Sequence, residues 1–274
     1  MENRSIFGSG AERATYTALR SQWEKQVEIY PQVPVKTVVG FNRIQAIQDE
    51  KERDYLLQTE FDYAVCGKRS GIFILVIEFD GIGGGFSRGL DYETHSVPIR
   101  DQNRRKKLEA KLGVCAEAGM PAVVVSFQET TPIEAAGHLT ILDGIIGEVW
   151  AADIFKTCLT SRQFDSIDEV EDFEITLGIE KNPVKKKIAR LLASLLAVDA
   201  NAGPKSVSPL TDRDEEGMTG CRASVQFCNP EFTADVYIRD VNCIGFNAFG
   251  LADDLSYLAA LQKAAQTSGI ALPT

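Results

Sequence analysis

The feature that most constrains this chain is a run of six apolar residues, Ile72 to Ile77, that passes directly into Glu78-Phe79-Asp80. A run this short and this rich in Ile and Val reads as a buried strand, and it falls far below the roughly 20 residues that span a bilayer. Alternate side chains of a strand share a face. Glu78 and Asp80 are therefore expected to emerge together, with Phe73, Leu75, Ile77 and Phe79 pointing the other way. Acids at the end of a buried strand are costly unless something answers their charge.

A second strand is expected over 60–66, joined to the first through Gly67-Lys68-Arg69-Ser70-Gly71, whose glycines and polar residues are hairpin-loop chemistry. If Cys66 faces Ile72 across that loop, Asp62 faces Val76 and Glu60 faces Glu78. Asp62 then lies on the Glu78 face, one diagonal step or roughly 7–8 Å away along the backbone. Upstream, Ser9 followed by Glu12 is a capping-box pattern, and Glu12, Tyr16, Leu19 and Trp23 recur at helical spacing. A helix is expected over about 10–25, with Glu12 directed toward the sheet. The plainer reading of Glu12 is as the reciprocal member of the Ser9 cap. Carboxylates gathered this closely repel unless a proton or a metal compensates, and oxygen-only ligands select hard cations such as Mg²⁺ or Mn²⁺.

Past a glycine-rich stretch, Gly81 to Gly89, a helix is expected over about 101–118. It carries Arg104, Lys107 and Lys111 at i, i+3 and i+7, beside the apolar Leu108, Leu112 and Cys115. A lysine held there could steady an attacking water or the charge developing on a phosphate. The plainer reading of the basic run is a solvated helix face. Arg100 to Lys111 holds six basic and two acidic residues, so a phosphate-facing surface is expected at Arg100, Arg104, Arg105, Lys106 and Lys107. The net charge of −10 excludes a protein that coats nucleic acid non-specifically, and most of that charge falls after residue 134.

The remaining elements fill in around these. Residues 27–39, broken by Pro31 and Pro34, suggest an extended segment or edge strand, residues 43–58 a helix or variable loop, and 121–127 a strand buried on both faces. The order helix, strands, helix, strand points to an α/β fold over 1–134, a mixed sheet flanked by helices. An additional α+β region is expected over 135–274. It should contain helices near 142–158 and 184–199, a linker over 200–220, strands near 221–228 and 233–240, and a closing helix near 251–267.

Six scattered cysteines with no C-x-x-C pair exclude structural zinc and read as buried reduced thiols, which together with the polar N-terminus suggests the cytoplasm. His95 and His138 read as ordinary surface or capping residues. The glycine-rich stretch has Phe86 where a dinucleotide fingerprint needs its third glycine, and no G-x-x-x-x-G-K-[ST] is present, so nucleotide binding ranks low.

Glu12 in a helix beginning Ala-Glu-Arg-Ala, then Phe61-Asp62-Tyr63-Ala64-Val65, then Ile77-Glu78-Phe79-Asp80-Gly81, then a basic helix ending Ala118-Gly119-Met120-Pro121, resembles the PD-(D/E)XK nuclease superfamily. The nearest branch in pattern includes very-short-patch-repair-type endonucleases, and the resemblance covers about residues 8–128. It implies a restriction-endonuclease-like fold and a Mg²⁺-dependent phosphodiesterase. Asp62 and Glu78 would ligate the ion with Asp80 beside them, Glu12 would support the metal or its water, and a lysine would complete the site. The superfamily's lysine two residues after the glutamate is Asp80 here, which moves that role to Lys111 or Lys107. Where close relatives carry a histidine past this strand, this chain has Gly83-Gly84-Gly85, with His95 as the substitute nearby.

The expected function is therefore a metal-dependent endonuclease acting on nucleic acid, DNA in the first instance. The alternative is a catalytically degenerate nuclease-like module that binds nucleic acid or a protein partner. The acidic C-terminal half is left for substrate selection, homodimerisation or a protein partner, and no membrane association is expected.

Overall fold

The computed structural model describes residues 7–79, 99–125, 137–210, 218–239 and 243–272. Its elements run, in order, α1 (Gly10–Trp23), β1 (Val27–Pro34), α2 (Val35–Val39), α3 (Phe41–Gln45), α4 (Glu50–Gln58), β2 (Glu60–Gly67), β3 (Phe73–Phe79), α5 (Ile99–Ala118) and β4 (Ala122–Val125). They continue with α6 (Gly137–Leu159), α7 (Ile167–Lys181), α8 (Pro183–Leu196), β5 (Gly203–Leu210), β6 (Met218–Gln226), β7 (Glu231–Arg239), β8 (Cys243–Ile244) and α9 (Ala248–Thr267). The fold is mixed α/β. Two compact units form, one from the described residues of 1–85, 91–127 and 241–246, the other from those of 86–90, 128–240 and 247–274. No described helix is long and apolar enough to cross a membrane.

In the first unit the sheet order is β1-β2-β3-β4-β8, antiparallel except for the parallel β3–β4 pair. A parallel pair requires a crossover, and α5 supplies it. Ala64 and Val76 pair across the hairpin and join Leu56, Leu112, Cys115 and Val124 in one buried cluster. The opposite parity, Tyr63, Val65, Leu75 and Ile77, is fully buried as well. The Tyr63 hydroxyl donates to the Glu12 carbonyl of α1 at 2.7 Å, which ties that face to the first helix.

Three sequence expectations need correction in this unit. Residues 35–39 are helical: Pro34 ends the strand, Val35 and Val39 bury at helical spacing, and Gly40, at φ +95°, stops the turn. The hairpin register also differs. The loop closes with the Gly67 N–H donating to the Ile72 carbonyl at 3.0 Å, and a bulge follows between Val65 and Cys66. The ladder therefore reads Val65↔Leu75, Ala64↔Val76 and Tyr63↔Ile77, two residues from the expected alignment. Finally, the strand that completes the sheet, β8, comes from beyond the boundary expected at 134. Gly245, at φ +78°, allows its close approach, since a Cβ there would stand 3.1 Å from the Pro121 Cα.

In the second unit, β5-β6-β7 form an antiparallel sheet. Cys221, Ala223 and Val225 of β6 and Ala234, Val236 and Ile238 of β7 alternate inward, and α9 packs against both strands. Residues 203–210, expected as linker, form the edge strand β5, where prolines are tolerated because one side of the ladder is open. α7 was not expected at all. Asn182, 2% exposed, caps α8 through the Val184 N–H (2.9 Å) and donates its amide to the Gly144 carbonyl of α6 (3.0 Å). A cavity of about 750 Å³ is lined by Glu148, Glu171, Glu174, Ile175, Asp253 and Asp254, among others.

The cysteines are all free, but only Cys115 and Cys221 are fully buried, while Cys228 is exposed. His138 is buried, not superficial, and burial lowers its basicity.

Candidate functional site

The site grows from the corrected ladder. Continuing Ala64↔Val76 and Tyr63↔Ile77 by one residue sets Asp62 beside Glu78, so the two acids are direct neighbours across the hairpin. Asp62 is fixed from the other strand: its Oδ2 accepts the Phe79 N–H at 2.7 Å. The Gln32 side chain lies close to the same carboxylate and favours its charged form.

α5 delivers the cation. Leu112 and Cys115 bury toward the sheet, and Lys111, on that margin, is 7% exposed. Its Nζ donates to both Glu78 oxygens at 2.9 Å and to the Glu60 carbonyl at 2.6 Å. The Phe61 ring lies 5.8 Å from the same nitrogen. An ammonium with three donors finds three acceptors here, which is how a lysine is tolerated in so dry a position.

Electrostatically the cluster is under-compensated. Burial raises the Asp62 carboxyl above its ordinary range, opposed by the Phe79 N–H and Lys111 and reinforced by Glu12. Burial also pushes Glu78 up, to about 7, against the pull of Lys111 and with a further push from Asp62. For Lys111, burial works against the charge, but the Glu78 carboxylate outweighs it and holds the ammonium above its usual range. One lysine does not neutralise the two neighbouring acids, Glu78 buried and Asp62 half-buried. The same negative charge, added to burial, lifts the neighbouring Cys115 thiol to about 12, so that cysteine is an inert core residue.

Other expected site residues fall elsewhere. Glu12 is half-buried and its Oε2 accepts the Gly8 N–H at 2.8 Å, while Ser9 Oγ accepts the Glu12 N–H at 3.1 Å. Its carboxylate thus serves the helix start, although it stays close enough to act on Asp62 and Tyr63 through its field. Lys107 is exposed, its ammonium 5.4 Å over the Tyr55 ring, one turn before Lys111. Lys106 is exposed too. Asp80, His95 and the stretch 81–89 lie outside the described residues, as do the side chains of Arg100, Arg104 and Arg105. Gln32 carried no signal in the sequence reading; its neighbours Pro31 and Pro34 marked the strand as irregular without singling it out.

Whether this donor set suits a divalent cation can be tested on its chemistry. Two adjacent carboxylates, both with raised proton affinity, offer hard oxygen donors and an unanswered negative charge. That fits Mg²⁺ or Mn²⁺, which take one or two carboxylates and keep several waters. It does not fit a closed protein cage: among the described residues, no group of three or more His, Cys, Asp or Glu side chains is arranged around one ion.

Residues 4–136 match the model of a family described as "Protein of unknown function (DUF2726)". The match spans just under half of the chain and takes in Gln32, Asp62, Glu78 and Lys111. No curated protein and no solved structure matches the chain.

Proposed function

We propose that the first unit is a metal-dependent phosphodiesterase acting on nucleic acid, DNA in the first instance. The observation that carries the reading is the Asp62–Glu78–Lys111 cluster, a half-buried and a buried carboxylate with one buried ammonium, contributed by β2, β3 and α5. The resemblance to PD-(D/E)XK nucleases supports it. A bound Mg²⁺ or Mn²⁺ would supply an acidified water and a positive charge for the scissile phosphate.

The chain's own residues have separable tasks in this proposal. Asp62, pinned by the Phe79 N–H, would help to hold the cation. Glu78 would help to hold the cation while remaining paired with Lys111, whose Nζ donates to both of its oxygens in the structure. Lys111 stays at the edge of the carboxylates because the Glu60 carbonyl anchors it. Its ammonium is held charged, so it acts by hydrogen bonding and charge, orienting water or a phosphate oxygen, and not as a base. It takes the role that the Glu-x-Lys pattern gives to the position of Asp80. Glu12 contributes field without ligation. The exposed Lys106 and Lys107 of α5 would meet the phosphate backbone, a contact to which the sequence also assigns Arg100, Arg104 and Arg105. The second unit, whose cavity is lined by Glu148, Glu171, Glu174, Asp253 and Asp254, is the part available to a protein partner or a second copy.

Incubation of the purified protein with plasmid and linear DNA in Mg²⁺ or Mn²⁺ tests the reading. Cleavage is expected for wild type and its loss for Asp62→Ala and Glu78→Ala. No cleavage by wild type, or equal cleavage by the variants, rules it out.

One observation favours a second reading, a degenerate module that binds nucleic acid without cutting it: Lys111 engages both Glu78 oxygens. Calorimetry separates the two, because the degenerate module takes up no stoichiometric Mg²⁺ or Mn²⁺ yet still binds DNA.

A further inference from the structure

Gln32 breaks a rule that the rest of β1 keeps. It stands at φ +51°, in the left-handed region that non-glycine residues avoid, yet lies inside a strand between Pro31↔Tyr63 and Val33↔Phe61. A side chain held there is strained and persists only where the surroundings impose it. Glycine would take this conformation without penalty. Gln32 therefore stands where a residue without a side chain would be more stable.

The strain has a visible result. Val33 and Phe61 join the same buried cluster as Ala64 and Val76. Strict alternation along β2 would set Phe61 and Ala64, three residues apart, on opposite faces. The ladder turns over at Gln32, and the residue facing that turn on β2 is Asp62. The half-buried Gln32 stands opposite Asp62 in the ladder, and its side chain lies close enough to the Asp62 carboxylate to favour the charged form. Asp62 is thereby flanked from both sides, by the Phe79 N–H that it accepts from β3 and by the Gln32 side chain from β1.

We propose that Gln32 is a positioning residue for the divalent-cation site: its strained backbone and its carboxamide together fix the Asp62 carboxylate in the orientation that receives the ion. This rests on the metal-dependent reading above. Groups that orient a ligating carboxylate typically change metal affinity 10–100-fold when removed. The amide carries no charge, so its contribution is one of direction and not of attraction.

The test uses the full-length chain with Mn²⁺ alone, titrated calorimetrically, alongside thermal unfolding in the absence of any divalent ion. Gln32→Gly relieves the backbone and removes the amide. It is expected to melt no lower than wild type and to bind Mn²⁺ about tenfold more weakly. Gln32→Asn tolerates the same φ with an amide too short to reach and should show the same loss, which keeps the test open if the glycine variant folds poorly. In cleavage assays, raising Mn²⁺ should restore the rate of Gln32→Gly but not that of Asp62→Ala. Wild-type uptake with unchanged affinity in both variants overturns this inference and leaves the proposed function standing. A lower melting temperature for Gln32→Gly overturns the claim that the backbone is strained for the sake of the site. No uptake by wild type overturns both this inference and the proposed function.

Discussion

Replacing Lys111 with Met retains an unbranched chain of similar length on α5 and removes only the charge. In the native protein the Lys111 and Glu78 side chains are 9% and 11% exposed and 2.9 Å apart. Removing one partner of a buried pair leaves the other uncompensated, at about 3–5 kcal/mol. The Glu60 carbonyl loses its donor in the same step. Glu78 can escape part of that cost by taking up a proton. Burial already raises its carboxyl to about 7, and without Lys111 it rises further. A carboxyl whose folded pKa lies above its unfolded value favours the folded state fully below the unfolded pKa, and that advantage is lost as pH rises through the folded one. Lys111→Met should therefore lose about 3 kcal/mol or more relative to wild type at pH 8, and clearly less at pH 5, where Glu78 is neutral in the fold. Urea unfolding without divalent ions at the two pH values measures this. The double variant Lys111→Met/Glu78→Gln should recover most of the loss at pH 8, because neither charge remains. A loss under about 1 kcal/mol at pH 8, or a double variant no better than the single one, would refute the premise that this pair is dry and mutually dependent.

Three further outcomes are expected. Because burial raises both Asp62 and Glu78, the ion-free protein should lose stability as pH rises from about 4.5 to about 7, and Mg²⁺ should restore more melting temperature at pH 8 than at pH 5. Gly147→Ala would place a Cβ 2.7 Å from the Asn182 Cα, so it should destabilise the second unit by about 1–3 kcal/mol in denaturant titration while leaving Mn²⁺ uptake unchanged. The pair Lys106→Ala and Lys107→Ala should lower the salt slope of DNA affinity by about 2 without altering cation binding, as measured by fluorescence anisotropy across salt concentrations.

The elements were legible wherever a local pattern was strong. The hairpin around Gly67 to Gly71, the buried strand after Pro121 and the helices near 10–25, 101–118 and 251–267 all lie close to their expected positions. Where reading failed, a competing local signal misled. Val35 to Val39 looked extended because it is β-branched, yet its buried spacing is helical. The prolines of 203–210 looked like linker, although an edge strand admits them. α7 carries its own capping signature in Ser166 and Glu169, with the Ser166 side chain accepting the Glu169 N–H, and that signature was available in the sequence.

The candidate site divides in the same way. Asp62 and Glu78 announced themselves as acids set against apolar strands, and Lys111 as a cation on the apolar margin of a helix, because alternation and helical periodicity place side chains on faces. Which faces meet is a different question. The nearness of Asp62 to Glu78 followed from the Gly67–Ile72 loop closure together with a bulge between Val65 and Cys66, and the choice of Lys111 over Lys107 from how α5 lies on the sheet. The place of Gln32 beside Asp62 depended on the packed chain as well, whereas the turn of the Glu12 carboxylate to Gly8 is a local contact at the helix start, in line with the plainer reading of Glu12. Sequence alone determined the mixed α/β character and the identity of the charged groups, since these follow from interactions among near neighbours. Only the tertiary structure decided which charges share a dry space, because contacts between residues 30 to 50 apart are set by register and packing geometry, which shift by whole residues with no trace in local pattern.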